Sequence, residues 1–493
     1  MTSGITRLVR HAGVYLLGNI LSRVGAFLLL PLYTAYLTTA DYGRLELLYV
    51  VTALAAVVWS AGLAHTTLRF YFDEKEESGR HVVVVTNLVL SAFLGTVGAG
   101  ALALFADPIA ELVLDDVAYS SAIRLCLVIM VFEMTSEVGF AYVRARERSL
   151  LYVQLSLLKL VAQVGFSVYL VAYAGRGLFG VLTANLVAVV LVWLIVIGFV
   201  LRNCGFRVGF ARIPEMLGYS IPFGVSGVLA AVMGSADRFL IKEMASLADV
   251  GIYAVAVKFA MIMMLVVAEP FYRSYGPFRF SIIEQANAKS LQSLVAEQIF
   301  AAGLAVGLGL AMFTPELLRL MASAEFHASA IYVPPLVMAL AVGILGYCFE
   351  TGVLYRKKTG YILAVRLVDV TVKIGLNLLL IPAFGVLGAA VAALCTAVVS
   401  ASLMNAFSQR LYRVEYRYGA MITMAIGAAL LMVVSLALEG RSLWVSVPAK
   451  VALLAVFLFG LIATNRHTRE LLSSLVRKAT AAAGIFPGRE TRP

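Results

Sequence analysis

Apolar runs of about twenty residues recur from one end of this chain to the other, and each is long enough to cross a ~30 Å hydrocarbon core. No water reaches the peptide groups there, so each run must satisfy its own hydrogen bonds as a helix. The other structure that spans a bilayer, a closed β-barrel, needs alternating apolar and polar residues. Runs such as VLVWLIVIGFVL around Trp193 do not alternate. The chain is 61% hydrophobic and 14% charged, against about 25% charge in soluble domains. The fold class expected is therefore an all-α polytopic membrane protein of about fourteen transmembrane helices. The spans fall near 14–37, 45–64, 82–106, 120–141, 151–173, 178–201, 215–235, 251–271, 291–313, 331–353, 361–381, 385–407, 418–438 and 443–464. No loop between them holds a separate soluble domain of about 50 residues, and no enzyme activity is expected.

The net charge of +11 raises nucleic acid as a partner, but the placement of the charge argues against it. Arg69, Lys75, Arg80, Arg144, Arg146 and Arg148 lie in loops of one alternate set. Arg356, Lys357, Lys358, Arg410, Arg413 and Arg417 continue that set to the end of the bundle. The opposite loops carry little beyond Arg44, Arg176, Arg238, Lys242, Arg319 and Arg441. Such an asymmetry orients a membrane protein with its basic loops inside. Both termini fall on the basic side, so both are expected to be cytoplasmic. The four cysteines form no disulfide framework, since Cys126, Cys348 and Cys395 fall in apolar runs and Cys204 in a basic loop. For the polar, basic segment 465–493 two readings stand: an amphipathic helix on the membrane surface, or a disordered tail.

The chain also repeats itself. Phe179-Gly180-Val181-Leu182 matches Phe384-Gly385-Val386-Leu387, the Arg144–Arg148 cluster matches Arg356–Lys358, and Asp41-Tyr42-Gly43 matches Asp249-Val250-Gly251. Each pair is about 205–212 positions apart, which implies duplication of a six-helix unit. An even number of spans keeps both copies in one orientation, as parallel repeats with a substrate site between them. The expected division is an N-terminal bundle at 1–208, a second bundle at 209–413, an extra helix pair at 414–464 and a cytoplasmic tail at 465–493.

Three segments carry a family resemblance. RVGAFLLLPLYTAYLTTADYGRLEL (Arg23 to Leu47), ADRFLIKEMASLADVGIYAVAVK (Ala236 to Lys258) and NLLLIPAFGVLGAAVAAL (Asn377 to Leu394) resemble bacterial polysaccharide-biosynthesis flippases. These belong to the multidrug, oligosaccharidyl-lipid and polysaccharide exporter superfamily. The resemblance implies a flippase for an undecaprenyl-pyrophosphate-linked oligosaccharide, working by alternating access in O-antigen, capsule or exopolysaccharide assembly. Its implied partners are the lipid-linked oligosaccharide, membrane lipids, and a polysaccharide polymerase with its chain-length machinery.

Ionisable residues inside the spans point the same way from the residues themselves. A charge at the bilayer centre costs about 2.5–3.5 kcal/mol on insertion scales, so these residues are expected to face a bundle interior. Arg366, Asp369, Lys373 and Asn377 share one helical face, as do Ser156, Lys159 and Gln163. Asn19 and Arg23 are one turn apart on the first span, and Lys258 and Glu269 share the eighth. We expect Arg23, Lys159, Lys258, Arg366 and Lys373 to grip phosphate oxygens in a hydrated cavity, with Asn19, Gln163 and Asn377 lining it. Glu133, Glu137, Asp369 and Glu269 are candidates for coupling to a proton or sodium ion, with no other cofactor and no metal. The competing reading makes any of these pairs, Arg366 with Asp369 or Asp369 with Lys373, an internal ion pair that only fixes packing.

Other signals fail. Gly175–Gly180 fits GxGxxG but follows no strand, so it is not a dinucleotide site. Gly303 and Gly307 are explained by helix packing. The rival functions are a lipid II flippase, an ion-coupled exporter of small molecules, which for organic cations would want an acidic cavity, and a membrane polysaccharide polymerase or glycosyltransferase, which would want catalytic groups on a large aqueous loop.

Overall fold

The computed structural model describes residues 27–464, apart from Ala61 and Glu439. Asn19 and Arg23, most of the first expected span and the segment 465–493 lie outside these residues. Among the described residues, thirteen helical stretches are long and apolar enough to cross a membrane. They coincide with the second to fourteenth spans read from the sequence. The chain is a multi-pass, all-α membrane protein.

The helices are longer than the apolar windows that announce them. The seventh span was expected to end near 235, yet its helix runs unbroken to Met244 through Asp237 and Arg238. Segments taken as outer loops are partly helical too, at Ala106–Leu114 and Ala324–Tyr332. Cys204 closes a helix rather than lying in a loop. Hydrophobicity marks where lipid stops, whereas backbone hydrogen bonding continues until a cap or a glycine ends it.

The chain divides into two compact units. The first runs to Val255 and takes in Met321–His327 and Asn377–Val386. Its helices are α1 (Leu30–Tyr36), α2 (Thr39–Ser60), α3 (Leu63–Asp73), α4 (Glu77–Leu104), α5 (Ala106–Leu114), α6 (Ser120–Ala145), α7 (Ser149–Ser167), α8 (Gly177–Cys204) and α9 (Ile213–Met244). α4, α6 and α8 pack side by side around Val84, Val85, Leu88, Val138, Tyr142 and Val196. α9 packs on α2 and α3, so the seventh span joins this unit.

α2 meets the start of α10 (Leu247–Met263) at a crossing built from matched residues. A Cβ on Gly43 would come within 1.9 Å of the Leu247 carbonyl oxygen, and one on Gly251 within 2.1 Å of the Thr39 carbonyl oxygen. Only glycine lets the backbones approach this closely. Both helices open with the same capping arrangement. Thr38 Oγ1 donates to Asp41 at 2.8 Å and accepts from the Asp41 N–H, and Ser246 Oγ donates to Asp249 at 2.7 Å and accepts from the Asp249 N–H. Every member of one set lies 208 positions from its counterpart, the spacing of the repeated DYG and DVG landmarks.

The second unit holds the rest of α10, which passes through a π-helical turn, Met264–Ala268, into α11 (Glu269–Ser281). Then come α12 (Ala288–Met321), α13 (Val333–Phe349), α14 (Thr351–Tyr355), α15 (Gly360–Phe384), whose last part from Asn377 belongs to the first unit, α16 (Val386–Leu411), α17 (Tyr418–Leu436) and α18 (Leu443–Thr464). Gly303 and Gly307 let α12 lie against Val337 and Ala341 of α13, the packing role expected for them. α17 and α18 pack on each other. α18 is tied to α12 by an ion pair in which Lys450 Nζ donates to both oxygens of Glu316, at 2.7 and 2.9 Å.

Candidate functional site

A polar cavity of about 560 Å³ lies inside the first unit, walled by α2, α3, α4, α6, α7, α8 and α9. Its walls are largely apolar, so a few polar side chains define it. α6 contributes Glu133, Ser136 and Glu137; α7 contributes Lys159; α3 contributes His65; α4 contributes Ser91. Glu133 and Glu137 share a face because one turn separates them. Lys159 Nζ donates to Glu133 Oε1 at 3.0 Å, with both side chains part-exposed, at 36% and 39%. His65 stacks on Phe223 of α9 with ring centroids 5.6 Å apart. Ser91 is 1% exposed, and its hydroxyl has no partner among the described residues. Two residues read separately from the sequence, a cation for phosphate and a carboxylate for ion coupling, thus form one pair. Gln163 lies one turn beyond Lys159, half-buried and outside this lining.

The second unit gathers another charged group on α15. Arg366 lies 3.5 Å from Asp369 and 3.5 Å from Glu350, and its side chain is 53% exposed. Asp369 is buried and accepts from Ser400 Oγ of α16 at 3.0 Å. One oxygen of Asp369 is held and the other, Oδ1, has no partner among the described residues. The i,i+3 pair of Arg366 with Asp369 was legible in the sequence, but Glu350 was not. Glu350 caps the end of α13, 16 positions from Arg366, so no helical spacing joins the two in the sequence. Tyr272 lies within electrostatic reach of Glu350 and Arg366. It packs against Tyr347 with centroids 4.5 Å apart, beside Tyr275 and Phe271. Lys258, Glu269 and Lys373 are half-buried. Asn377, expected to line the cavity, is fully buried, and neither amide atom has a partner among the described residues. Asn19 and Arg23 fall outside the described residues.

The arrangement can hold and exchange charge within the bundle. In the first unit one ammonium is paired with one of the two carboxylates in the cavity wall, and in the second one guanidinium lies 3.5 Å from each of two carboxylates. A family profile described as "Polysaccharide biosynthesis protein" matches residues 8–278, more than half of the chain. The chain belongs to that family. No curated protein matches the sequence significantly. Among solved structures, the fold of this family member is similar to one described as "Lipid II flippase MurJ, inward closed conformation". That match has TM-score 0.70 at 10% identity and covers 92% of this chain and 99% of the other. A multidrug resistance MATE family transporter of the MOP superfamily, in an inward-facing conformation, gives TM-score 0.63 at 16% identity over 81% and 96%. A MOP superfamily transporter from Pyrococcus furiosus, described as having a binding pocket of reverse polarity, gives 0.56 at 15% over 82% and 95%. The polysaccharide biosynthesis protein described here thus has the fold of the MOP flippases and transporters.

Proposed function

We propose that this membrane transporter is a flippase for an undecaprenyl-pyrophosphate-linked oligosaccharide, serving O-antigen, capsule or exopolysaccharide assembly. It would sit in a bacterial inner membrane with its basic loops and both termini in the cytoplasm, beside a polymerase and chain-length machinery. The observation that carries the reading is the Lys159–Glu133 pair inside a polar cavity of a protein from a polysaccharide biosynthesis family. An ammonium part-exposed to a cavity is a phosphate ligand in waiting, and the carboxylate that holds it is the group that must let go.

The proposed cycle follows from that competition. In the empty protein Lys159 is neutralised by Glu133. A proton taken up at the Glu133 carboxylate, or a sodium ion held between Glu133 and Glu137, cancels that charge and frees Nζ for a phosphate oxygen. Arg366, shared between Glu350 and Asp369, supplies a second cation in the same manner. Lys258 and Lys373 are the second unit's further candidate cations, and its tyrosines Tyr272 and Tyr347 offer flat faces to sugar rings.

The family description favours a polysaccharide precursor over small organic cations. The MurJ-like fold keeps lipid II as the second reading. Deleting the gene and extracting the membrane lipids tests both. Accumulation of an undecaprenyl-pyrophosphate oligosaccharide, with loss of surface polymer, is the expected result. Accumulation of lipid II would move the assignment to the cell-wall precursor, and unchanged lipid pools with intact polymer would remove both. Lys159→Ala, in a protein that still inserts, is expected to lower export at least roughly tenfold, the effect of one lost charged contact of ~1.4 kcal/mol or more.

A further inference from the structure

A second polar cavity, of about 550 Å³, lies in the second unit, and nothing in the transport reading uses it. One wall is the first part of α12. Lys289, Ser293 and Glu297 are spaced i, i+4 and i+8, so they form a single stripe along that helix. The other wall is the segment joining α16 to α17. Residues 413–417 form neither helix nor strand, turning at Glu415 and Arg417 through bonds from the Tyr416 N–H to the Val414 carbonyl and from the Tyr418 N–H to the Tyr416 carbonyl, and burial alternates along them: Val414 and Tyr416 are buried, while Arg413, Glu415 and Arg417 are exposed. Both walls belong to the Lys/Arg-rich face of the protein.

The strap is built to hold its shape. Ser293 Oγ donates to the Glu415 carbonyl at 2.8 Å. Gln409 clamps Val414 from both sides, donating to its carbonyl at 2.7 Å and accepting from its N–H at 2.9 Å. Tyr416 packs edge-on against Phe349 with centroids 4.8 Å apart. Arg417 reaches across the groove to Glu297 at 3.3 Å, and Glu297 is only 1% exposed. Lys289 Nζ sits over the Tyr412 ring at 5.3 Å. The cations are therefore presented on a fixed frame.

Depth fixes the class of ligand. α12 has 34 residues and is roughly 51 Å long, well beyond a ~30 Å hydrocarbon core. Lys289 immediately precedes the apolar span 291–313, and the strap joins the ends of the spans 385–407 and 418–438, which puts both walls at the level expected for headgroups. Basic pockets between transmembrane helices at this level suit anionic lipid headgroups. We propose that the groove between the start of α12 and the 413–417 strap seats the phosphate of an anionic phospholipid from the leaflet on the Lys/Arg-rich side. Lys289 and Arg413 contact the phosphate, and Arg417, anchored on Glu297, completes the ring.

The test is lipid retention by the full chain in nanodiscs of mixed phosphatidylglycerol and phosphatidylcholine, counted by native mass spectrometry. Wild type is expected to retain phosphatidylglycerol selectively. Lys289→Ala with Arg413→Ala is expected to weaken that retention about five-fold per charge, roughly 25-fold together. Arg417 is left in place because it holds a buried carboxylate. Lys289→Arg with Arg413→Lys should restore retention, which separates lost charge from lost fold. Equal retention of the two lipids by wild type, or of phosphatidylglycerol by the double alanine variant, would overturn the proposal. So would equal competition by inorganic pyrophosphate, which marks a soluble-anion site, or binding of a poly-glutamate peptide in place of the lipid, which marks an acidic protein partner.

Discussion

The Lys450–Glu316 pair offers the sharpest test of the packing described above. Lys450 on α18 is 1% exposed and Glu316 on α12 is 7% exposed, with two short hydrogen bonds joining them. Replacing Lys450 by Met keeps the stem and removes the charge, leaving Glu316 buried alone. Breaking a buried pair from one side costs about 3–5 kcal/mol. Glu316→Gln strands the ammonium and is expected to cost a similar amount. The double variant removes both charges and should recover most of the loss, because a well-packed neutral pair is often as stable as the ionic one. A double-mutant cycle on detergent-solubilised protein, followed by equilibrium unfolding, should therefore give a coupling energy of at least ~2 kcal/mol. Single variants as stable as wild type, or costs that simply add, would refute the view that this pair fastens α18 to α12.

Other outcomes follow from the same structure. Gly43→Ala or Gly251→Ala forces a methyl group into a carbonyl oxygen and should cost about 1–3 kcal/mol or more, read as a lowered unfolding midpoint. Arg366→Ala leaves Glu350 and Asp369 without their shared cation, and surface polymer should fall while membrane insertion persists; normal polymer would remove Arg366 from the site. Single cysteines at Asp116 and Arg413 should react with a membrane-impermeant thiol reagent from opposite faces, and labelling from one face would break the topology. Three of the native cysteines, Cys126, Cys204 and Cys348, are buried, so they should contribute little background.

Span positions were legible in the sequence because lipid imposes a length and a composition that few other environments demand. The Arg366–Asp369 pair was legible because one helix supplies both partners at a fixed spacing. Lys159 and Glu133 could each be singled out, but not joined, since they lie 26 positions apart on different helices. Lys450 and Glu316 were invisible. They are 134 positions apart, and each sits near a span end where a charge is unremarkable until its burial is known. The acidic partner Glu350 was missed for the same reason. Periodicity reports faces of single helices, and the pairing of those faces is decided by packing that no local pattern encodes.

The crossing of α2 and α10 has a consequence for how this chain can change over time. Gly43 and Gly251 descend from matching positions if the two halves arose by duplication, and each now occupies the clearance beside the other copy's backbone. The two codons therefore behave as one locus: whichever drifts first uses up the room at the shared seam, and a second change opposite it restores nothing. Copies that have diverged almost everywhere else would be held alike at this point by their mutual contact.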